Sequence, residues 1–341
     1  MSKSAGVVKK AGETNNKKNI NQKKVGHGYE WEFAKPRENL TTAEKFKRYL
    51  YDPSEGTYCG RTPIMWLKLL IAYIILYICI AIFFMICMYG LMLTISKDHP
   101  TYVLEESIIG TNPGLGFRPF PDGFDLGNSL VYAVPSNKND TSRWVNKIKE
   151  FLKEYQDPPK KKGARQMCDY DSPPVGGKVC DVPVDTPDWG ACTSAKDFGF
   201  STSSPCIIIK LNRIFDWVPE YYNNTNELPD DMPQDLKDYI RGIKDKKRLN
   251  TAWLSCHGEA PGDKENLGPM TMYPERGFPG YYYPFTNQEG YLSPLVAVHF
   301  RRPAMNTLIA VECRIWAKNT LYAKNPHRGG QGNVHFELLL D

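Results

Sequence analysis

The chain has 341 residues, with 43 Lys+Arg against 38 Asp+Glu, a formal net charge of +5 and 41% hydrophobic residues. The small basic excess sits in a Lys-, Asn- and Gly-rich amino-terminal tail, which reads as solvated rather than as a nucleic-acid arm. The nine cysteines include no C-x-x-C pair, so zinc-site and thioredoxin-like readings lack the spacing they need.

Met1 to about Val25 holds almost no large apolar residue and cannot bury a core, so disorder is expected there. The run TTAEKFKRYLY predicts one short surface helix decorated by Glu44, Lys45, Lys47 and Arg48. Tyr58-Cys59-Gly60-Arg61-Thr62-Pro63 breaks the chain before the next element. From Leu69 to Ile95 there are 27 residues without a charge. As a helix that stretch is about 40 Å long, enough to cross a hydrocarbon core of about 30 Å with some tilt. It begins too far from residue 1, and runs too long, for a cleavable signal peptide. The reading is a permanent signal-anchor.

Through Lys68 the sequence carries 14 Lys+Arg against 7 Asp+Glu, a net of +7, and the remainder carries 29 against 31, a net of −2. The positive-inside rule therefore puts the amino terminus in the cytosol and the 246 residues after Ile95 outside, a type II single-pass arrangement. Six of the nine cysteines fall in the outer part, an even number that suits an oxidising compartment. Asn-x-Ser/Thr sequons at Asn139 and Asn223 would lie outside, and the one at Asn39 inside. Asn139 falls in the polar run SNKNDTS, read as a loop.

Ser142 to Tyr155 predicts an amphipathic helix, with Trp144, Ile148, Phe151, Leu152 and Tyr155 at helical spacing and Thr141 or Ser142 as cap. Pro158 and Pro159 end it. Lys160 to Pro205 is rich in Pro, Gly, Asp and Cys, a composition for loops tied by disulfides. Four later segments read as strands. Cys206–Asn212 is one. The others alternate: Val296, Val298 and Phe300; Ile309, Val311, Cys313 and Ile315; Val334, Phe336, Leu338 and Leu340. Such alternation predicts half-buried antiparallel strands in a sandwich-like, mainly-β ectodomain with at least one helix.

Nothing in the sequence forms a catalytic constellation. Asp169-Tyr170-Asp171 is a D-x-D of the kind that holds a metal for a nucleotide-sugar, but it abuts turn residues and reads as a solvated loop. No H-E-x-x-H, G-x-S-x-G or phosphate-binding glycine loop occurs. No catalytic residue, metal ligand or cofactor is assigned, and a partner-binding ectodomain is expected. In the apolar span Tyr73 and Tyr77 share a helix face continued by Ile80 and Phe84. A phenol at that depth lacks an acceptor in lipid, and another transmembrane helix supplies one.

Several segments carry a resemblance. They are Arg48-Tyr-Leu-Tyr-Asp-Pro, Gly60-Arg-Thr with Trp66 and Lys68, Tyr73 and Tyr77 followed by Cys79, Leu93-Thr-Ile-Ser96 and Pro100-Thr-Tyr102. Further on come Pro113-Gly-Leu115, Lys210-Leu-Asn-Arg213, Tyr281-Tyr-Tyr-Pro-Phe285, Pro294–Phe300 and Glu312-Cys313. From about Phe46 to the end the chain resembles the β subunits of the P-type Na,K- and H,K-ATPases. The resemblance implies an immunoglobulin-like ectodomain and, among 15 ways to pair six cysteines, the bonds Cys168–Cys180, Cys192–Cys206 and Cys256–Cys313. The last should be buried and hardest to reduce, since Cys313 lies on an apolar strand face. The resemblance also implies a non-catalytic subunit that binds the ATP-hydrolysing α subunit, supports its folding and plasma-membrane delivery and modulates potassium transport. On this reading Tyr73, Tyr77, Tyr281, Tyr282 and Tyr283 contact the α subunit. Membrane lipid and a small single-span regulatory subunit are further partners, and nucleic acid is not one.

The expected division is a cytoplasmic tail over 1–63, a signal-anchor helix over 64–95 and an extracellular domain over 96–341. The span departs from the family's small-residue pattern, with Gly90 its only glycine, and Trp217–Asn250 is longer than the resemblance explains. The alternative reading is a type II adhesion or receptor glycoprotein. A Golgi transferase rests on Asp169 and Asp171 alone.

Overall fold

The computed structural model describes residues 41–53, 55–97, 99–123, 128–158, 163–322 and 332–341. The chain divides into two units that meet in sequence between Tyr89 and Gly90. The expectations for Met1–Val25, Asn39 and Pro159 concern residues outside those described.

The first unit opens with α1, Thr42–Leu50. Thr41 caps it in a reciprocal box: the Glu44 amide donates to Thr41 Oγ1 at 3.4 Å, and the Thr41 amide donates to Glu44 Oε2 at 2.9 Å. Lys47 and Arg48 occupy the last turn, where the helix dipole favours cations. A short hairpin follows, β1 Tyr51–Asp52 against β2 Thr57–Tyr58, with the Tyr51 and Tyr58 rings 4.9 Å apart. Then comes α2, Pro63–Thr94, 32 residues long with proline at its first position. None of its residues is buried, and it is the one helix among the described residues long and apolar enough to cross a membrane. A membrane-soluble surface is what an all-apolar helix needs when its own chain covers none of it.

The second unit is a two-sheet domain. In chain order its strands are β3 Leu115–Arg118, β4 Leu130–Ala133, β5 Arg165–Gln166, β6 Val179–Cys180, β7 Cys206–Leu211, β8 Thr251–Gly258, β9 Met270–Tyr273, β10 Gly277–Pro279, β11 Leu295–Phe300, β12 Ile309–Trp316 and β13 Asn333–Leu340. Its helices are α3 Lys138–Gln156, α4 Gln234–Arg241 and α5 Pro261–Asn266. One sheet runs β10-β8-β12-β13-β4, the other β3-β7-β11-β9, and β5 and β6 form a small separate ladder. Residues of both sheets, α3 and the 194–202 segment share one hydrophobic cluster, with Trp144, Trp189, Phe198, Phe200, Phe300 and Phe336 fully buried in it.

Three expectations need correcting. Half-buried alternation holds for β12, whose Ile309, Val311, Cys313 and Ile315 are buried while Ala310, Glu312 and Arg314 are partly exposed. It fails for β11, which like β7 and β8 is buried on both faces because other elements pack on the sides away from the inter-sheet core. Pairing is also not wholly antiparallel, since β13 runs parallel to β4. Finally, α3 starts four residues earlier than its apolar spacing suggests. Asn137 is the cap, accepting from the Asn139 amide at 3.0 Å, while Thr141 is buried within the helix.

The 217–250 segment builds a second, smaller core. Met232, Leu236, Ile240 and Leu249 enclose Trp253 of β8 and Trp316 of β12, which are register partners. Their neighbours Leu254 and Ile315 belong to the main core, so by strand alternation this segment caps the opposite face of the sheet. Arg314 is sandwiched there between the Trp316 and Tyr322 rings, 3.7 and 3.9 Å from their centroids.

Candidate partner-binding surfaces

On α2, Tyr73 and Tyr77 project from one side, four residues apart, with ring centroids 6.3 Å apart and nearly parallel planes. They are 51% and 65% exposed. With Trp66, Leu70 and Ile74 they form one apolar strip. Two phenol hydroxyls in an otherwise apolar strip offer packing area and a hydrogen bond to a neighbouring helix.

In the second unit the residues from Tyr281 to Phe285 organise an aromatic surface. β10 leads into a 3₁₀ turn, Gly280–Tyr282, which fixes the three tyrosines in different directions. Tyr281 packs edge-on against Tyr170, centroids 5.1 Å apart. Tyr282 turns inward and donates to the Asp181 carbonyl at 3.1 Å. Tyr283 packs edge-on against Trp217 at 5.6 Å. Each keeps part of its surface exposed. Burial raises all three phenol pKa values, those of Tyr282 and Tyr283 far above the usual value, so all three stay neutral at physiological pH.

The surface continues through Phe215, Asp216 and Tyr291, which the sequence did not single out. The Asp216 amide donates to the Phe285 carbonyl at 2.8 Å, and the Phe215 and Phe285 rings meet edge-on at 6.3 Å. Phe285 also packs on Tyr291 at 4.9 Å, and the Arg213 guanidinium lies 5.6 Å from each of those two ring centroids. His99, five residues past the end of α2, packs edge-on against Phe215. The sequence signals for this cluster were the Tyr-Tyr-Tyr-Pro-Phe run and, by resemblance, the segment ending at Arg213. Its Phe215 and Arg213 half lies about seventy residues away, beyond the reach of local pattern.

The other singled-out residues fall as follows. Disulfides join Cys168 to Cys180, Cys192 to Cys206 and Cys256 to Cys313. Cys168 is partly exposed, whereas Cys192, Cys206 and Cys313 are fully buried and Cys256 is 7% exposed. Burial thus does not set the third bond apart from the second. Asn139 is exposed, but in the first turn of α3 rather than in a loop. Asn223 is exposed in an irregular segment. Asp169 and Asp171 do not converge. Asp169 Oδ1 closes a turn by accepting from the Asp171 and Ser172 amides at 2.8 and 2.7 Å, while Asp171 pairs with Lys247. No group of three or more His, Cys, Asp or Glu side chains is placed to hold a metal among the described residues.

Comparison with known proteins adds a different kind of observation. The family model described as sodium / potassium ATPase beta chain matches residues 36–336. The sodium/potassium-transporting ATPase subunit beta-2 of Drosophila melanogaster is 41% identical over 319 residues, covering 92% of this chain and 97% of that protein. The subunit beta-1 of the same organism is 41% identical over 314 residues, covering 92% and 96%. The human subunit beta-2 is 28% identical over 316 residues, covering 87% and 94%.

Proposed function

The chain belongs to the sodium/potassium ATPase beta chain family, and on that premise we propose that it is the non-catalytic subunit of a sodium/potassium pump. It binds the catalytic α subunit, supports that subunit's folding and delivery to the plasma membrane, and modulates potassium transport. The observation that carries this reading is α2, an apolar helix with no residue buried by its own chain and a stacked, exposed tyrosine pair on one side. Such a helix is suited to dock laterally on another membrane helix. In this reading Tyr73 and Tyr77 meet the α subunit within the bilayer, and Tyr281, Tyr282 and Tyr283 mark its contact outside. Lipid surrounds the remaining faces of α2, with room for a small single-span regulatory subunit.

The charge split of +7 against −2 across the span supports a cytoplasmic segment over 1–63, an anchor over 64–95 and an extracellular domain over 96–341. Asn139 and Asn223 are then the glycan acceptors. Purification of the full chain in mild detergent tests the assignment. Recovery of a large multispanning ATPase in stoichiometric amount is the expected result, and its absence from a chain that reaches the cell surface would remove the pump role. Glycosidase-sensitive mobility that survives removal of both Asn139 and Asn223 would overturn the topology.

A further inference from the structure

We infer that α1 and its hairpin form a membrane-surface foot that lies on anionic lipid headgroups beside the end of α2. Three observations on one unit lead there. First, α1 is two-sided. At about 100° per residue, Phe46, Tyr49 and Leu50 share an arc of about 100°, Lys45 and Lys47 flank that arc on either side, and Glu44 and Arg48 lie opposite. Second, the apolar side is bare among the described residues. Phe46, Tyr49 and Leu50 are 65%, 59% and 45% exposed, and no residue of α1 is buried.

Third, the helix is tethered where a bilayer surface must be, given the proposal above that α2 spans the membrane. The Cys59 amide donates to the Leu50 carbonyl at 3.0 Å, which folds the end of α1 back onto a residue only four before Pro63. Four residues reach at most about 14 Å. Trp66 in the first turn of α2 donates its indole N–H to the Tyr58 carbonyl at 2.8 Å, and Arg61 lies 5.6 Å from the Trp66 ring, so the hairpin is fastened to the helix end.

These features select the occupant. A bilayer interface accepts a short apolar arc flanked by lysines, because the lysine stems lie along the apolar surface while their ammonium groups reach the phosphates. Arg48 is turned away and sits 3.8 Å from Asp52, and Glu44 is engaged in the cap, so the two flanking lysines carry the headgroup contact. Tyr51 and Tyr58, 47% and 53% exposed, and Trp66 at 41%, add the amphipathic rings that favour the interfacial layer. Phosphatidylserine-type headgroups on the cytoplasmic leaflet are the matching chemistry.

Hydrogen exchange of the full chain in nanodiscs tests this. One set contains phosphatidylcholine alone and the other a mixture with phosphatidylserine. Amides of Thr42–Leu50 should exchange more than tenfold slower in the mixture, since each basic residue at an anionic surface is worth roughly fivefold. The variant Lys45→Gln/Lys47→Gln should lose that difference while α2 remains protected in both discs. Equal exchange of α1 in the two lipids would overturn the proposal. So would protection that appears only when the catalytic subunit is reconstituted alongside, because the apolar arc would then belong to a protein. Rapid exchange throughout α2 would instead remove the spanning reading on which the proposal stands.

Discussion

Cys256 and Cys313 stand directly opposite each other on the neighbouring strands β8 and β12, so their bond staples two strands of one sheet. In antibody-type sandwiches the hallmark disulfide crosses between sheets. Here the two sheets are held together by side-chain packing, and the bond secures the register of the sheet whose opposite face is capped by the 217–250 segment.

Removing that bond with Cys256→Ala and Cys313→Ala should cost about 4 kcal/mol from loop entropy alone, for a sequence separation of 57, and should lower the melting temperature by on the order of 10 °C. Thermal denaturation of the purified full chain measures it. Limited reduction followed by alkylation and peptide mapping should label Cys168 and Cys180 first, since Cys168 is the most accessible of the six. Early labelling of Cys192 or Cys313 would contradict the burial seen here.

Replacing Tyr73 and Tyr77 together with Leu keeps the helix apolar and inserted but removes two hydroxyls. Interhelical hydrogen bonds in membranes average about 0.6 kcal/mol, so roughly 1 kcal/mol is lost, together with ring packing. On the proposed docking, which has a second contact at Tyr281–Tyr283, that is too little to separate the subunits, yet enough to shift a cation-binding equilibrium several-fold. Co-purification should persist while apparent potassium affinity changes. Unchanged transport kinetics at normal surface expression would show that the pair faces lipid.

His299 on β11 supplies a pH prediction. Burial lowers its pKa first of all, Arg301 and Lys196 add to the lowering, and a hydrogen bond with the Ser204 backbone opposes them. The folded protein therefore binds a proton there less readily than the unfolded chain does. Its contribution to stability is present above the unfolded histidine pKa of about 6.5 and is lost as pH falls through that value toward the folded pKa. Urea midpoints measured from neutral to mildly acidic pH should fall for the native chain and fall less for His299→Gln. Parallel profiles would refute the assignment.

Gly199 has φ +76°, and a Cβ there would sit 2.0 Å from the Ser204 carbonyl oxygen, a backbone atom. Gly176 has φ +66° with open space around it. Gly176→Ala should cost about 1 kcal/mol from backbone conformation alone. Gly199→Ala should cost at least twice that and disturb the Cys192–Cys206 loop it lies in. Equal denaturation midpoints for the two variants would show that the 199–204 turn can open without penalty.

How much of this was readable depended on the range of each signal. The α2 span is a composition signal and was plain in the sequence. β12 announces itself by alternation because only one of its faces meets the main core. β8 hid, since Thr251 to Gly258 is buried on both sides and its pattern reads neither as strand nor as helix. The early start of α3 was missed because Asn137 caps it before its apolar residues begin. The aromatic surface was half legible: Tyr281 to Phe285 form a conspicuous run, but their partners Arg213, Phe215 and Trp217 come from another part of the chain. The 217–250 core was hidden for a related reason, because the tryptophans it covers lie on strands whose other side serves a different core.

The place of β13 has a consequence for how this domain is made. Asn333–Leu340 is not an edge. It is threaded between β12 and β4, with Phe336, Leu338 and Leu340 buried, and the amide of Asp341 donates to the Ala133 carbonyl at 3.1 Å. β4 is translated some two hundred residues before its partner exists. While those residues are made, then, β4 is an open strand beside an unfilled core, joined near the end by one open side of β12, the situation in which nascent chains aggregate or recruit chaperones. A chain stopped anywhere before Asn333 cannot shut its larger sheet, so this last strand acts as the bolt by which a finished ectodomain differs physically from an unfinished one.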